Sequence, residues 1–425
     1  MLDIKFIREN RDLVRKIIDD KNIQLDLDRL LFLDKRRREL IQEKEKLKSQ
    51  QNKLTKNDID KAKELKKKIK EILPKLKTIE EEYNRLILLT PNIYSKDTPV
   101  GSSEDDNVET FKWGNPPSFK FNAKSHIELG NDLDIIDFER GVKTSGFRGY
   151  YLKNEASFLA MALLWHSILK MKEKDFDFLI PPTIIRDFAL IGSGHFPFGK
   201  EEIYQIANPG KLADGSNVKE KLYLGGTSEP SLLAYFADNL IEEKDLPKKV
   251  CAFSQCYRSE VGSYGKDTKG LYRLREFMKV EQVVLCKDDI EESNFWLEEM
   301  KKISEEILQE LELPYRVLQI CTGDMGAGKY KMYDIETWMP SRKSYGETHS
   351  DSNLTDWQSR RLNIRYKKSN GEKRFVYALN NTVVASPRIL IALLENYQQE
   401  DGSVKVPKIL HKYLPFTKIP AKRKR

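Results

Sequence analysis

Five charged side chains sit inside or beside apolar runs in the second half of the chain. Arg258 and Glu260 lie in FSQCYRSE and Glu281 in FMKVEQVVL. Glu347 follows WMPSRKSYG, and Arg388 opens PRILIALLENY. A charge buried without a partner is costly. These residues therefore pair with one another or hold a charged ligand. An arginine on a strand and another at a helix start would suit a triphosphate; carboxylates nearby would suit a divalent cation or an ammonium group. Placement alone leaves both readings open. Other chemistries find little support. There is no Gly-x-Ser-x-Gly elbow and no His/Cys/Asp/Glu cluster at metal-ligand spacing. No GxGxxG follows a strand, and MGAGK at 325–329 lacks the spacing of a phosphate-binding loop. Cys251, Cys256, Cys286 and Cys321 lack zinc-like spacing and read as reduced thiols.

The elements around these residues fall into two styles. From 27 to 88 the apolar residues keep a heptad rhythm. Leu33, Leu40, Leu47 and Leu54 recur every seven residues, and Ala62, Leu65, Ile69, Ile72, Leu76, Ile79, Tyr83 and Leu86 alternate at three and four. The interruption TKNDID, residues 55–60, offers Asn57 or Asp58 as a helix cap. So short a turn makes the two helices antiparallel, an arm roughly 40 Å long at 1.5 Å per residue. Pro74 falls between stripe positions, so a bend is expected there, not a stop. Residues 90–118, rich in Pro, Gly, Ser, Asn and acids, read as a linker. Beyond it, the helical stretches 155–171 and 289–313 alternate with the strand-like runs KVCAFSQCYRS, FMKVEQVVLC, YRVLQIC, KMYDIETWMP and RFVYALNNT. That mixture predicts an α+β domain on a mostly antiparallel sheet.

The 425 residues carry a net charge of +8, unevenly spread. Residues 28–85 hold 19 Lys and Arg against 12 Asp and Glu, and the chain ends in KRKR. The remainder is slightly acidic. A localised basic surface suits a polyanion such as nucleic acid, or is simply a solvated helix face. No run of about 18 apolar residues suggests a membrane span. The charged opening MLDIKFIRENRDLVRKII has no apolar core of a secretion signal.

Several segments, taken in order, resemble the active-site segments of the seryl-tRNA synthetase family, which is class II. They are TSE at 227–229, YRSE at 257–260, FMKVEQ at 277–282, 332–366 beginning MYDIETWMPSRKSYGETHSDSN, and LNNTVVASPRIL at 379–390. TPNIYSKDTPVGSSEDDNVE resembles that family's hinge. The resemblance covers almost the whole chain, with residues 1–100 as a tRNA-binding domain carrying the arm and 101–425 as the catalytic domain. It implies a class II antiparallel sheet with flanking helices, a cytoplasmic homodimer, and FDFLIPPTIIRD at 176–187 as the first motif at the dimer interface. It implies activation of serine with ATP to seryl-adenylate, then transfer to tRNA(Ser), and to tRNA(Sec) as well.

The resemblance also implies roles. Arg258 would hold the α-phosphate, Glu260 the adenine amino group, Phe277 would stack on adenine with Leu274 close by, and Arg388 would hold the γ-phosphate. Ser259, Glu347, Thr348, His349 and Ser350 would complete the ATP site, with Glu347 and Ser350 ligating Mg2+. Thr227, Ser228, Glu229, Glu281 and Thr382 would form the serine pocket. The arm would read the long variable stem of the tRNA by shape and charge. KRKR would add nonspecific affinity, or be a solvated tail. The chain departs from the family pattern at Gly225, Gly226 and Pro230, at His349 and Asp351, and at Asn381, Ala385 and Pro387. These put local geometry and substrate affinity in question, and His349 could perturb the metal. Three other functions are weighed against it: a paralogue that charges a carrier other than tRNA, an RNA-binding protein with an inactive catalytic domain, and a related class II enzyme for threonine or proline, which would not need this hairpin arm.

Overall fold

The computed structural model describes residues 1–55, 58–261 and 269–421. The chain divides into two compact units, Met1–Ile93 and Tyr94–Arg425. Asn57 and the KRKR tail lie outside the described residues.

In the first unit, two short helices, Ile4–Glu9 and Arg11–Asp20, precede α1 (Leu27–Asn52) and α2 (Ile59–Ile87). Asp26 caps α1 by accepting from the Arg29 amide at 2.8 Å. Asp58 occupies the N-cap position of α2 but caps nothing; its carboxylate turns back to the Thr55 amide and hydroxyl, at 2.9 and 2.8 Å. Leu30 and Leu33 of α1 cluster with Tyr83 and Leu86 of α2, and Leu40 clusters with Ile72 and Leu76. Ascending positions on one helix meet descending positions on the other, so the pair is antiparallel. Arg29 forks onto Glu82 at 2.8 and 2.6 Å, and Arg37 lies over the Tyr83 ring. Pro74 faces solvent and α2 continues through it, because the stripe on the opposite side stays packed.

The second unit is built on an eight-stranded sheet. The strands of that sheet and the helices that bear on the site are, in chain order, β1 (Val108–Trp113), α3 (Asn154–Glu173), β2 (Asp177–Leu179), α4 (Asp187–Ser193), α5 (Glu229–Ala234), β3 (Lys248–Tyr257), β4 (Glu276–Cys286), α6 (Ile290–Glu310), β5 (Tyr315–Gln319), β6 (Lys331–Met339), β7 (Ser344–Asn353), α7 (Ser359–Leu362), β8 (Tyr377–Ala385) and α8 (Ser386–Asn396). The strands lie in the order β1-β5-β6-β7-β8-β4-β3-β2, antiparallel except where β2 runs parallel to β3. Helices α3, α6 and α8 bury one face of this sheet through Leu163, Leu297, Ile307, Leu390 and Leu393.

Three local expectations change. The stretch 90–118 is more than a linker, since β1 within it adds an exposed edge strand to the sheet. The strand VETFKW is short and solvent-facing, and the Pro, Gly and acidic residues around it hide that pairing. RFVYALNNT divides: Lys373–Phe375 joins a separate three-stranded sheet, and Tyr377 onward enters the main one. Finally β7, SYGETHSDSN, is a largely buried central strand with almost no apolar residues. Its polar composition gives no strand signal.

Candidate active site

Two β-bulges organise the face of the sheet away from α6. Along a regular strand, residues three apart point to opposite faces. In the β6–β7 ladder Asp334 pairs with Ser350 and Glu336 with Glu347, with the register slipping at Thr348. One extra residue therefore turns Glu347 and Ser350 to the same face. The β8–β4 ladder slips at Val383 in the same way, which sets Thr382 beside Glu281 and Ala385 beside Lys279. Because β7 and β8 pair only through Asp351–Asn353, they part beyond that point. A cavity of about 60 Å³ opens there, lined by Arg258, Glu260, Leu274, Phe277, Lys279, Glu347, Thr348, Thr382 and Arg388, with Leu271, Tyr272, Ala385 and Pro387.

Most of the charges around this cavity are arranged in ion pairs, and Arg258 is the exception among the described residues. Arg388 Nη1 lies 3.0 Å from Glu347 Oε2, its Nε donates to the Tyr272 carbonyl, and its guanidinium sits 4.5 Å above the Tyr272 ring. Burial works to raise the Glu347 pKa, but Arg388, with Arg258 and Arg273 behind it, holds the carboxyl below its ordinary range. Glu260 adopts a left-handed backbone (φ +54°) and meets Arg148 at 3.1 Å and Arg273 at 3.6 Å. Arg258 sits 5.3 Å from the Phe277 ring centroid and donates to the Gly226 carbonyl at 3.3 Å. Among the described residues no carboxylate lies within ion-pair distance of Arg258.

The neighbouring pocket is smaller and more polar. Lys279, which was not singled out from sequence, is buried, contacts the Glu281 carboxylate and donates to Thr227 Oγ1 at 3.1 Å. Burial pushes Glu281 up to about 7 against the opposing pull of Lys279. Glu229, at the start of α5, is buried and accepts from Gln358 at 2.6 Å. The Ser228 hydroxyl is buried with no hydrogen-bond partner among the described residues.

Some expected site residues point elsewhere. Ser259 gives its hydroxyl to the Glu201 carbonyl and does not line the cavity. His349 turns to the far face, where its Nε2 donates to the Val383 carbonyl at 3.1 Å and its Nδ1 accepts from Thr348. Burial pushes its pKa down to about 4, so the ring is neutral and staples β7 to β8 where their ladder has ended. Asn381, across the strand from Asp351, binds α6 through the Met300 carbonyl and Ser304. Of the departures, only Ala385 and Pro387 face the cavity.

For a divalent cation, Glu347 and Ser350 offer a carboxylate and a hydroxyl on one face. Ser350 donates to buried Asp334, whose Oδ1 has no partner among the described residues. Oxygen donors of this kind fit a hard ion that keeps water and phosphate in its remaining positions.

An antiparallel sheet framed by an arginine at a strand end and another at a helix start is the core of a class II aminoacyl-tRNA synthetase. The family model for the class II tRNA synthetase core domain (G, H, P, S and T) matches residues 211–397, and that for the seryl-tRNA synthetase N-terminal domain matches residues 1–94. The serine–tRNA ligase of Borrelia garinii subsp. bavariensis is 44% identical over 438 residues, covering 99% of this chain and 100% of that protein. That of Deinococcus radiodurans is 42% identical over 97% of each. The crystal structure of seryl-tRNA synthetase from Pyrococcus horikoshii complexed with ATP superposes with a TM-score of 0.89 at 36% identity over the full length of both chains. The chain belongs to the seryl-tRNA synthetase family, as its motifs indicated.

Proposed function

We propose that this chain is a serine–tRNA ligase that activates serine with ATP and transfers it to tRNA(Ser). The observation that carries this reading is the pair of bulges. They gather Glu347, Ser350, Thr382, Lys279 and Glu281 on one face between Arg258 and Arg388.

In the activation step a serine carboxylate oxygen forms a bond to the α-phosphorus. The bond to the bridging oxygen breaks, and pyrophosphate leaves with the electron pair. The protein needs no nucleophile; it positions the reactants and stabilises charge. Arg258 would receive the charge developing on the α-phosphate, and Phe277 and Leu274 would hold the adenine with Glu260 on its amino group. Arg388 would release Glu347 and bind the γ-phosphate. Glu347, Thr348 and Ser350 would lie beside that phosphate, and Glu347 and Ser350 would hold Mg2+, which would neutralise phosphate charge when bound. Thr227, Ser228, Glu229, Glu281 and Thr382 would take the serine. Glu229 would meet its ammonium group, because no cation lies within ion-pair distance of Glu229 among the described residues. Glu281 and Thr382 would meet its hydroxyl, and a site built to satisfy that hydroxyl rejects alanine.

Residues 1–100 would bind the tRNA, with the basic arm on its variable stem, and 101–425 would catalyse. Shape reading would extend to tRNA(Sec). A homodimer accounts for the apolar residues exposed on α3 and along 176–187: Phe158, Met161, Trp165, Ile180 and Ile184. The enzyme would work in the cytoplasm; no helix is long and apolar enough to cross a membrane among the described residues. The intact set of charges weighs against an inactive catalytic domain, and the basic arm against a carrier other than tRNA. Serine-dependent exchange of pyrophosphate into ATP, followed by charging of tRNA(Ser), tests the proposal. Exchange without charging would leave the carrier reading.

A further inference from the structure

Two carboxylates border the serine pocket, and they are held differently. Glu281 has Lys279 against it. Glu229 is just as secluded, yet its carboxylate is met by a neutral amide. Gln358 Nε2 donates to Glu229 Oε1 at 2.6 Å and to the Ser193 carbonyl at 2.8 Å. A side-chain amide nitrogen has two hydrogens, and both are used. The reverse orientation would set the amide oxygen against two acceptors, so the orientation is fixed even though Gln358 Oε1 has no partner among the described residues. Gln358 itself is 1% exposed.

The anchor behind Gln358 is rigid. Arg361, from the short helix α7 that Gln358 precedes, donates to the Ile191 and Phe196 carbonyls at 3.0 and 3.3 Å. Gly194 has φ +87° and lies so close to the Trp357 ring that a Cβ there would come within 2.2 Å of it. The turn 191–196 is thus clamped to α7, and Gln358 carries that rigidity to Glu229. A neutral donor fixes one carboxylate oxygen without cancelling the charge. A lysine or arginine there would neutralise the group and compete with an incoming cation.

We propose that Gln358 is a positioning residue for serine, holding the Glu229 carboxylate aimed at the substrate ammonium. The inference rests on the reading that Glu229 binds that ammonium. It is tested by pyrophosphate exchange over varied serine and varied ATP, with Gln358→Met, Gln358→Glu and Glu229→Gln side by side. Gln358→Met keeps the volume and removes the donor. It raises the KM for serine roughly ten-fold or more, the effect of losing a hydrogen bond to a charged group. The KM for ATP and kcat stay within about two-fold of the parent. Gln358→Glu makes the serine KM pH-dependent. It is near the parent value at low pH, where the new carboxyl has a proton to donate, and higher as that proton is lost. If Glu229→Gln raises the serine KM while Gln358→Met leaves it unchanged, the inference falls and the serine reading stands. If Glu229→Gln leaves the serine KM unchanged, the serine reading itself falls. An equal rise in both KM values, or a fall in kcat that tracks lost folded protein, would make Gln358 merely structural and overturn the proposal.

Discussion

The arm and the catalytic sheet bury their residues on opposite principles. Helices α1 and α2 share a seam of single apolar residues, Leu40, Ile72 and Leu76, and leave most of their charges in water, Asp34 being buried against Arg8 and Arg38. The sheet has an apolar face under α6 and α8 and a charged face around Lys279, Glu281, Glu347 and Arg388. A seam needs only periodicity, so it tolerates change on its outside. A charged face needs each partner in place, because removing one strands another in low dielectric. The arm should therefore fail by losing affinity, and the sheet by losing chemistry.

Deleting residues 30–85 should separate the two most sharply. Charging of tRNA is expected to fall about 10³-fold or more as backbone contacts are lost, while serine-dependent pyrophosphate exchange persists. Normal charging by the truncated enzyme would erase the division. Arg258→Ala is the converse: exchange should drop about 10²- to 10³-fold, as when a donor to developing charge is removed. tRNA binding, read by filter retention, and the thermal midpoint should hold.

Truncations of packing residues sharpen the contrast further. Leu393→Ala, in the fully enclosed core, should cost about 3 kcal/mol in denaturant unfolding, with exchange and charging lost together. Leu76→Ala, in the thin seam, should cost less, about 2 kcal/mol, and reduce charging while sparing exchange.

The smallest effect is a pH dependence. Glu281 titrates near 7 in the fold instead of at its ordinary 4.5. Its contribution to stability is therefore full below about 4.5 and lost as the pH rises through about 7. Its charged form is the better acceptor for the serine hydroxyl, so kcat/KM for serine should climb as the pH passes upward through about 7. Glu281→Gln should flatten that profile; a parent profile already flat from pH 6 to 8, on the scale of that shift, would contradict the role.

Much of this was legible in the residues. Heptad spacing survives translation into structure because a helical seam is a local, periodic object. Arg258, Glu281 and Arg388 stood out because charge in an apolar run is locally odd. What stayed hidden depends on pairing between distant strands. The bulges at Thr348 and Val383 have no local signature, yet they decide that Glu347 joins Ser350 and that Thr382 joins Ala385. The same slip sets His349 on the face opposite Glu347. Lys279 was passed over inside FMKVEQ, although its spacing of two from Glu281 on a strand was the available clue. Gln358 sits in a loop-like stretch, and only the fold brings it to Glu229.

The most direct test is pyrophosphate exchange into ATP with each of the twenty amino acids, without tRNA. The account predicts exchange with serine and background with the rest. Exchange with a different amino acid, or with none, would contradict it.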